Sequence, residues 1–172
     1  TEEDGGDYYV RDLMRVPVFV VNDEIVTKLR RPLFDWRDKT IASFDREAVT
    51  AIELERGEDR LVIERSGDDW VFADGRVADR TAVAGMLNAI EFERASAIVD
   101  SPGSLGSFGL ASPPLEVTFR SGSADVLRFA FGSDVGEDDI YWKSPDDPAV
   151  KTVSKDVFDR FDVTMEDLID PG

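Results

Sequence analysis

Short runs rich in apolar residues, separated by polar turn residues, follow one another in the middle of the chain. Three of them occupy residues 49–54, 60–65 and 70–72, and the turn-forming stretches 57–59 and 66–69 separate them. Such short runs bounded by turn residues are typical of strands, and short polar turns join successive strands antiparallel. This part of the sequence therefore predicts an antiparallel meander.

A helical period of apolar residues follows the meander. Behind Asp79, apolar residues recur three, four and seven positions apart. This spacing places one apolar stripe along a helix, and an aspartate directly before a helix is a favoured N-cap. We predict the principal amphipathic helix at about residues 79–93, with its stripe against the sheet. The stripe consists of Val83, Met86, Leu87 and Ile90.

A second hairpin follows a connector. Residues 101–110 are rich in glycine and serine, and a proline pair at 113–114 closes this connector. Beyond it, residues 115–119 and 127–131 each alternate between apolar and polar, with turn residues at 121–123 between them. We predict that these two segments pair as antiparallel strands.

An internal repeat relates the two ends of the chain. Adding 132 to a residue number near the N-terminus reaches a similar residue near the C-terminus without a gap. Each copy reads as a strand, a polar loop, a second apolar strand, an N-cap and a short helix. A chance similarity between two short supersecondary units is the alternative to duplication. The matched pairs are Tyr9 and Tyr141, Arg11 and Lys143, Val18 and Val150, Val21 and Val153, Asn22 and Ser154, Ile25 and Val157, and Leu29 and Phe161.

The similarity extends beyond the short helix if one copy slips by three residues. Residues 34–38 then lie against residues 163–167, and both segments combine aromatic or apolar residues with acidic ones. We therefore expect the two copies to end in comparable segments.

These patterns together predict an α+β fold that is related to a tandem repeat. It contains an antiparallel sheet of hairpins and a meander, one main amphipathic helix and two short helices. Residues 1–35 are predicted to be the C-terminal portion of a preceding repeat unit, and residues 36–172 a complete α+β unit. A fragment of this size cannot bury its Tyr8, Phe19 and Val21 face alone, so we expect its strands to join the sheet of the complete unit.

The charge of the chain excludes one class of partner. It has 37 acidic and 20 basic residues and a formal net charge of -17, which repels phosphate backbones and anionic headgroups. Nucleic acid is therefore not an expected partner. Aspartate makes up 24 of the acids and lysine 5 of the bases, a bias that fits either a saline habitat or a GC-rich genome.

Missing residue types restrict the chemistry further. Cysteine and histidine are absent from the sequence, which excludes disulfides, zinc sites built on thiolate or imidazole, and nucleophiles activated by histidine. No apolar run is long enough for a membrane span, so we expect no direct membrane insertion by this sequence. The chain begins at Thr1 without a start methionine, and we expect that an anchor or signal has been removed.

Clustered acids are the first candidates for a site. The string from Asp134 to Asp139 could offer oxygen ligands to calcium, but it lacks the spacing of an EF-hand loop and reads as a solvated turn. Asp146-Asp147-Pro148 reads the same way. Glycoside hydrolysis needs two carboxylates at a suitable separation. With 37 acids, some pair meets this condition in almost any fold, so the sequence does not identify a catalytic pair.

Other candidates have simpler structural explanations. Gly103, Gly106 and Gly109 lack the spacing and the lysine of a phosphate-binding loop and indicate a tightly turned connector. Ser154 and Lys155 fit a helix N-cap and an exposed lysine. We therefore assign no catalytic, cofactor-binding or metal-binding residue. Six aromatic residues could form a ligand platform but are expected to pack in or beside strands: Trp36, Trp70, Trp142, Tyr8, Tyr9 and Tyr141.

Five short motifs spread over the chain form a recognisable set. They are Arg37-Asp38-Lys39-Thr40-Ile41, Asp69-Trp70-Val71-Phe72, the helix entry Ala78-Asp79, Phe108-Gly109-Leu110 followed by Pro113 or Pro114, and the passage from Phe131-Gly132 to Ile140-Tyr141-Trp142. Together they resemble the bacterial family called domain of unknown function 4340. The resemblance covers nearly the whole chain from about Trp36, and its motifs are structural.

The resemblance implies a membrane-tethered protein. Members of the family typically carry an N-terminal hydrophobic anchor and often occur beside ABC-type transport components like those of gliding motility. It implies an extracytoplasmic location, on the periplasmic or cell-surface side, with the anchoring segment outside this sequence. The family defines no functional residues that could be carried over.

The preferred function is a non-enzymatic interaction or scaffold domain associated with an ABC-type transport system. Its partner is expected to be a protein of the transport system or envelope, bound at a sheet edge or concave face. One alternative is a carboxylate-dependent enzyme that acts on envelope polysaccharide. Another is a calcium-dependent adhesion module.

Overall fold

The computed structural model describes residues 8–14 and 16–169. The chain divides into two compact units, residues 1–38 and residues 39–172. The assignment of the N-terminal part to a preceding repeat unit, with a boundary at residues 35 and 36, stays a prediction.

The described residues of the first unit form one hairpin and one short helix. Its two strands pair antiparallel in a two-stranded sheet, and the side chain of Asn22 caps the helix by accepting a hydrogen bond from a backbone N–H. A 3₁₀ turn follows the helix. The elements are β1 (Tyr8–Arg11), β2 (Val18–Val21), α1 (Asp23–Leu29) and the 3₁₀ turn Leu33–Trp36.

The second unit is built on one antiparallel sheet of nine strands. The strands are β3 (Ala51–Arg56), β4 (Asp59–Ser66), β5 (Asp69–Phe72), β6 (Val77–Ala78), β7 (Ala97–Val99), β8 (Leu115–Ser121), β9 (Ala124–Val135), β10 (Asp139–Lys143) and β11 (Val150–Ser154). Their spatial order is β6-β5-β4-β3-β8-β9-β10-β11-β7, so the predicted meander and the predicted second hairpin lie side by side.

The main helix connects the two edges of this sheet. Helix α2 (Arg80–Phe92) follows edge strand β6 and precedes edge strand β7, and Asp79 caps it by accepting a hydrogen bond from the Thr81 N–H at 2.6 Å. The whole predicted stripe of α2 is buried in one core with the inward residues of the sheet. A short helix, α3 (Lys155–Asp159), follows β11. The predicted α+β architecture, with one main and two short helices, is confirmed.

An aromatic cluster fills the core beside α3. The ring of Phe129 contacts those of Phe119, Phe131, Trp142 and Phe161, with centroids 5.5–5.9 Å apart. Four of these side chains come from neighbouring strands β8, β9 and β10, whereas Phe161 follows α3. The cluster therefore joins the C-terminal segment to the middle of the sheet.

The internal repeat has the same strand register in both copies. In the first unit Tyr8 pairs with Val21, and in the second Ile140 pairs with Val153, which is the same pair shifted by 132. The helix caps Asn22 and Ser154 also correspond. The repeat is thus a structural unit, consisting of a hairpin, a cap and a short helix. We call residues 8–36 the first copy and residues 140–168 the second copy.

The predicted three-residue slip after the helix is wrong. The 3₁₀ turn Leu33–Trp36 of the first copy corresponds to the 3₁₀ turn Glu166–Leu168 of the second without any change of the 132 offset. The slip matches two pairs of apolar residues and one pair of acids, Asp38 and Asp167, which is too little to fix an alignment. Trp36 therefore corresponds to Leu168.

The expectation that the strands of the first copy join the large sheet is also wrong. Strands β1 and β2 form their own two-stranded sheet. In the large sheet, β10 pairs with β9 and β11 pairs with β7. The positions that suit this hairpin are therefore already occupied by the second copy.

Candidate functional site

The acidic strings predicted to be turns take part in structural contacts. Asp134 forms an ion pair with Lys155 at 2.8 Å, and the following residues turn β9 into β10. Asp147 forms an ion pair with Lys151 at 2.7 Å. Burial alone would raise the pKa of the Asp147 carboxyl, but hydrogen bonds from Lys151 and from the Ala149 N–H, together with the positive charge of Lys151, lower the pKa overall. Within residues 8–14 and 16–169, no group of three or more acids is arranged to hold a metal ion.

Buried charge in the sheet is likewise paired. Glu53 of β3 is buried and bonds to Arg60, and its second oxygen lies 3.0 Å from Arg120. The hydrogen bond from Arg60 is the main cause of the lowered pKa of Glu53. Removal of either arginine would leave part of this buried charge uncompensated, and a carboxylate held in this way is poorly suited to accept a proton.

The aromatic residues do not gather into one platform within the second unit. Trp142 is buried in the core, whereas Tyr141, the next residue on the strand, faces the other side and contacts the Phe108 ring at 4.9 Å. Trp70 lies on β5 beside the core. In the first unit, Trp36 and Tyr9 are exposed.

Gly109 and Gly132 allow the connector to lie directly on strand β9. Gly109 has φ of 70° and ends the 3₁₀ turn Leu105–Phe108. A Cβ atom on Gly109 would lie 2.6 Å from the backbone N of Ser133, and a Cβ atom on Gly132 would collide with the Phe108 carbonyl oxygen. The glycines in two of the family-like motifs therefore serve a backbone contact rather than phosphate binding.

A groove of about 370 Å³ lies between this connector and the outer face of the sheet. Its apolar walls come from the connector, strand β9 and the loop after β10, with Leu105, Leu110, Ala111, Pro113, Ala130 and Pro145. We call it the connector groove. Its size lies within the usual range of small-molecule pockets.

Three charged side chains give the connector groove its polarity. Arg128 donates to Glu116 at 2.7 Å, and this hydrogen bond raises the pKa of Arg128. Lys143 Nζ donates to the backbone carbonyls of Ser144 and Asp147. The groove thus combines apolar walls with an ion pair and an ammonium group, and it suits an extended segment with an apolar side chain and exposed carbonyl or carboxylate oxygens.

One titratable group was missed by sequence reasoning. Glu93 directly follows α2, and its carboxylate accepts a hydrogen bond from the Ser154 N–H at 3.2 Å. Burial raises the pKa of Glu93, and the nearby charges of Asp139 and Asp156 add to this effect. These residues are far apart in sequence, so nothing short of the topology could have indicated the cluster.

The fold and the repeat define an α+β domain in which one hairpin-and-helix module occurs twice. Residues 1–99 and 70–172, which overlap and together span the sequence, match the family Domain of unknown function (DUF4340). The chain belongs to this family, as its motifs indicated. No curated protein and no solved structure matches it.

Within the described part of the chain, no helix is long and apolar enough to cross a membrane.

The glycine contact predicts a selective loss of stability. We expect Gly132→Ala to lower the free energy of unfolding by about 1–3 kcal/mol, because the added methyl group forces the connector away from β9. Gly103→Ala is the matched control, since a Cβ atom there meets no atom within 4 Å. Urea unfolding measures both variants, and an equal effect of the two substitutions would contradict the account.

Glu93 predicts a pH-dependent gain in stability. Its raised pKa means that the folded protein disfavours the charged carboxylate. The resulting loss of folding stability is absent below the usual glutamate pKa of about 4.3, and it develops as pH rises through the raised value. Glu93→Gln should therefore increase the urea midpoint at pH 7 but not at pH 4. Glu58→Gln, on an exposed turn, serves as the control. A gain for Glu93→Gln that is equal at both pH values would refute this assignment.

Proposed function

We propose that this chain is a non-enzymatic interaction domain of a membrane-tethered bacterial protein. It acts on the extracytoplasmic side with an ABC-type transport system. It binds its protein partner in the connector groove. The apolar groove with its few fixed charges carries the proposal. The membrane and transport context is what the resemblance of its motifs to the family implies.

The shape of the sheet favours this groove over other binding surfaces. Helix α2 packs against the core face, so that face is not open to a partner. The edge strands β6 and β7 have two and three residues, which is short for the addition of a further strand. A partner segment in the connector groove would meet apolar side chains together with the guanidinium group of Arg128 and the ammonium group of Lys143.

The chemistry of the groove favours binding over catalysis. Its acid, Glu116, is engaged by Arg128, and Lys143 is held by two carbonyl groups. These arrangements orient a ligand, but they place no free base beside a nucleophile.

The enzyme alternative is supported by a different observation. Glu93, with its raised pKa, lies close to Asp139 and Asp156, and a carboxyl group of this kind can act as a general acid. The test of this alternative is polysaccharide hydrolysis by the wild-type protein and by Glu93→Gln. Hydrolysis that disappears in the variant would favour the enzyme.

Site-specific crosslinking tests the proposed function. A photoreactive amino acid replaces Ala130 in the full-length protein in source cells, and a second protein carries it at Asp68, on the exposed β4–β5 turn, as the control. We expect an adduct with a transport-system subunit from position 130 that is absent from position 68. The additional substitution Ala111→Arg, which fills the groove, should reduce this adduct several-fold.

Two results would overturn parts of the proposal. Equal adducts at positions 130 and 68 would contradict binding in the groove. A groove-specific adduct with a protein unrelated to transport would retain the interaction domain and remove the transport association.

A further inference from the structure

The hairpin of the first copy exposes apolar side chains on both of its faces. Phe19 and Val20 are neighbours on β2 and point to opposite sides, with 54% and 58% of their surfaces exposed. Tyr9 and Val18 are exposed as well. A two-stranded sheet with two apolar faces is marginally stable in water, and patches of this kind mark interaction surfaces.

The second copy shows what covers the same faces. Val18 corresponds to Val150 and Leu29 to Phe161, and both counterparts are fully buried. The exposed fraction of Leu29 is 59%. The apolar residues of the first copy therefore occupy positions that the fold buries when the rest of a unit is present.

The covering elements in the second unit can be named. Strand β9 pairs with β10 along one edge of the hairpin and β7 pairs with β11 along the other. Phe131 packs against Phe161 on the core face, and Phe108 of the connector packs against Tyr141 on the outer face. The covering elements β7, β9, Phe108 and Phe131 lie within residues 39–135. We call residues 39–132 the body, because residue 133 is the counterpart of Thr1 at the offset of 132.

Charge permits the same occupant. The first copy carries five basic and four acidic residues, whereas the body carries ten basic and sixteen acidic residues. The first copy is thus nearly neutral in an otherwise acidic chain, so it repels an acidic body less than the rest of the chain would.

We propose that the first copy is a docking module for the body of another DUF4340 unit. That body supplies a β9-type strand to the free edge of β1, a β7-type strand to β2, and aromatic side chains to both faces. This inference is independent of the connector groove. It concerns another surface and another partner.

Two other occupants fit the geometry less well. A symmetric contact between two first copies would cover one face of each hairpin and leave the other face exposed. An anionic membrane surface would be repelled by a chain with a net charge of -17.

The absence of cysteine allows a direct test by disulfide trapping. A second copy of the body, residues 39–132, is fused directly before Thr1 of the whole chain. In the second unit the body is followed by residue 133, and residue 133 corresponds to residue 1 at the offset of 132. Lys143 pairs with Ala130 in the second unit, so Arg11 should pair with Ala130 of the added body. Arg11→Cys combined with Ala130→Cys in the added body should form an intramolecular disulfide under mild oxidation.

Two control pairs calibrate the trapping. Lys143→Cys with Ala130→Cys of the original unit is the positive control, because those residues are register partners. Lys28→Cys on α1 with Ala130→Cys of the added body is the negative control. We expect the Arg11 pair to reach at least half of the positive-control yield and to exceed the negative control at least five-fold. Val21→Asp, which puts a charge at a position buried in the second copy, should abolish the excess.

Two results would overturn the proposal. One is a yield for the Arg11 pair no higher than that of the Lys28 pair. The other is efficient formation of a disulfide-linked dimer by Arg11→Cys in the unextended chain, which would assign the surface to a second copy of this chain.

Discussion

The aromatic cluster around Phe129 is the contact on which the second unit depends. Phe129 touches aromatic side chains from β8, β10 and the segment after α3, as well as Phe131 of its own strand. Loss of such a buried aromatic side chain typically costs about 3–5 kcal/mol, which is a large share of the stability of a domain of this size. The cluster also explains why the C-terminal hairpin and α3 form an integral part of the fold.

The same strand links this core to the candidate binding surface. Residues of β9 alternate between the two faces, so Phe129 and Phe131 point into the core while Arg128 and Ala130 border the connector groove. Gly132, the residue after Phe131 on β9, lacks a side chain and so lets the connector pack against this strand. The connector forms the opposite wall of the groove. The position of the groove is therefore set by the packing of the core.

Local patterns in the sequence predicted most of the elements. The hairpins, the stripe of α2 and its Asp79 cap depend on residues close together in the chain, and these features are confirmed. The repeat was visible because a hairpin with a fixed register keeps its spacing. Sequence reasoning did not predict the two short edge strands, because two or three residues carry too little periodicity.

Features that depend on tertiary structure could not be read in this way. The Glu93 cluster and the connector groove join residues from distant segments, and an aspartate-rich chain contains many carboxylates that could be misread as a site. The family motifs proved informative about packing, since Gly109 and Gly132 mark a backbone contact.

The central claim is that one module occurs twice and is stable only when a body covers it. Residue-resolved amide hydrogen exchange on the unmodified chain tests this claim most directly, because it compares the two copies in one molecule. We predict that amides of β1 and β2 exchange at least a hundred-fold faster than those at the corresponding positions of β10 and β11. Equal protection of the two hairpins would contradict the account.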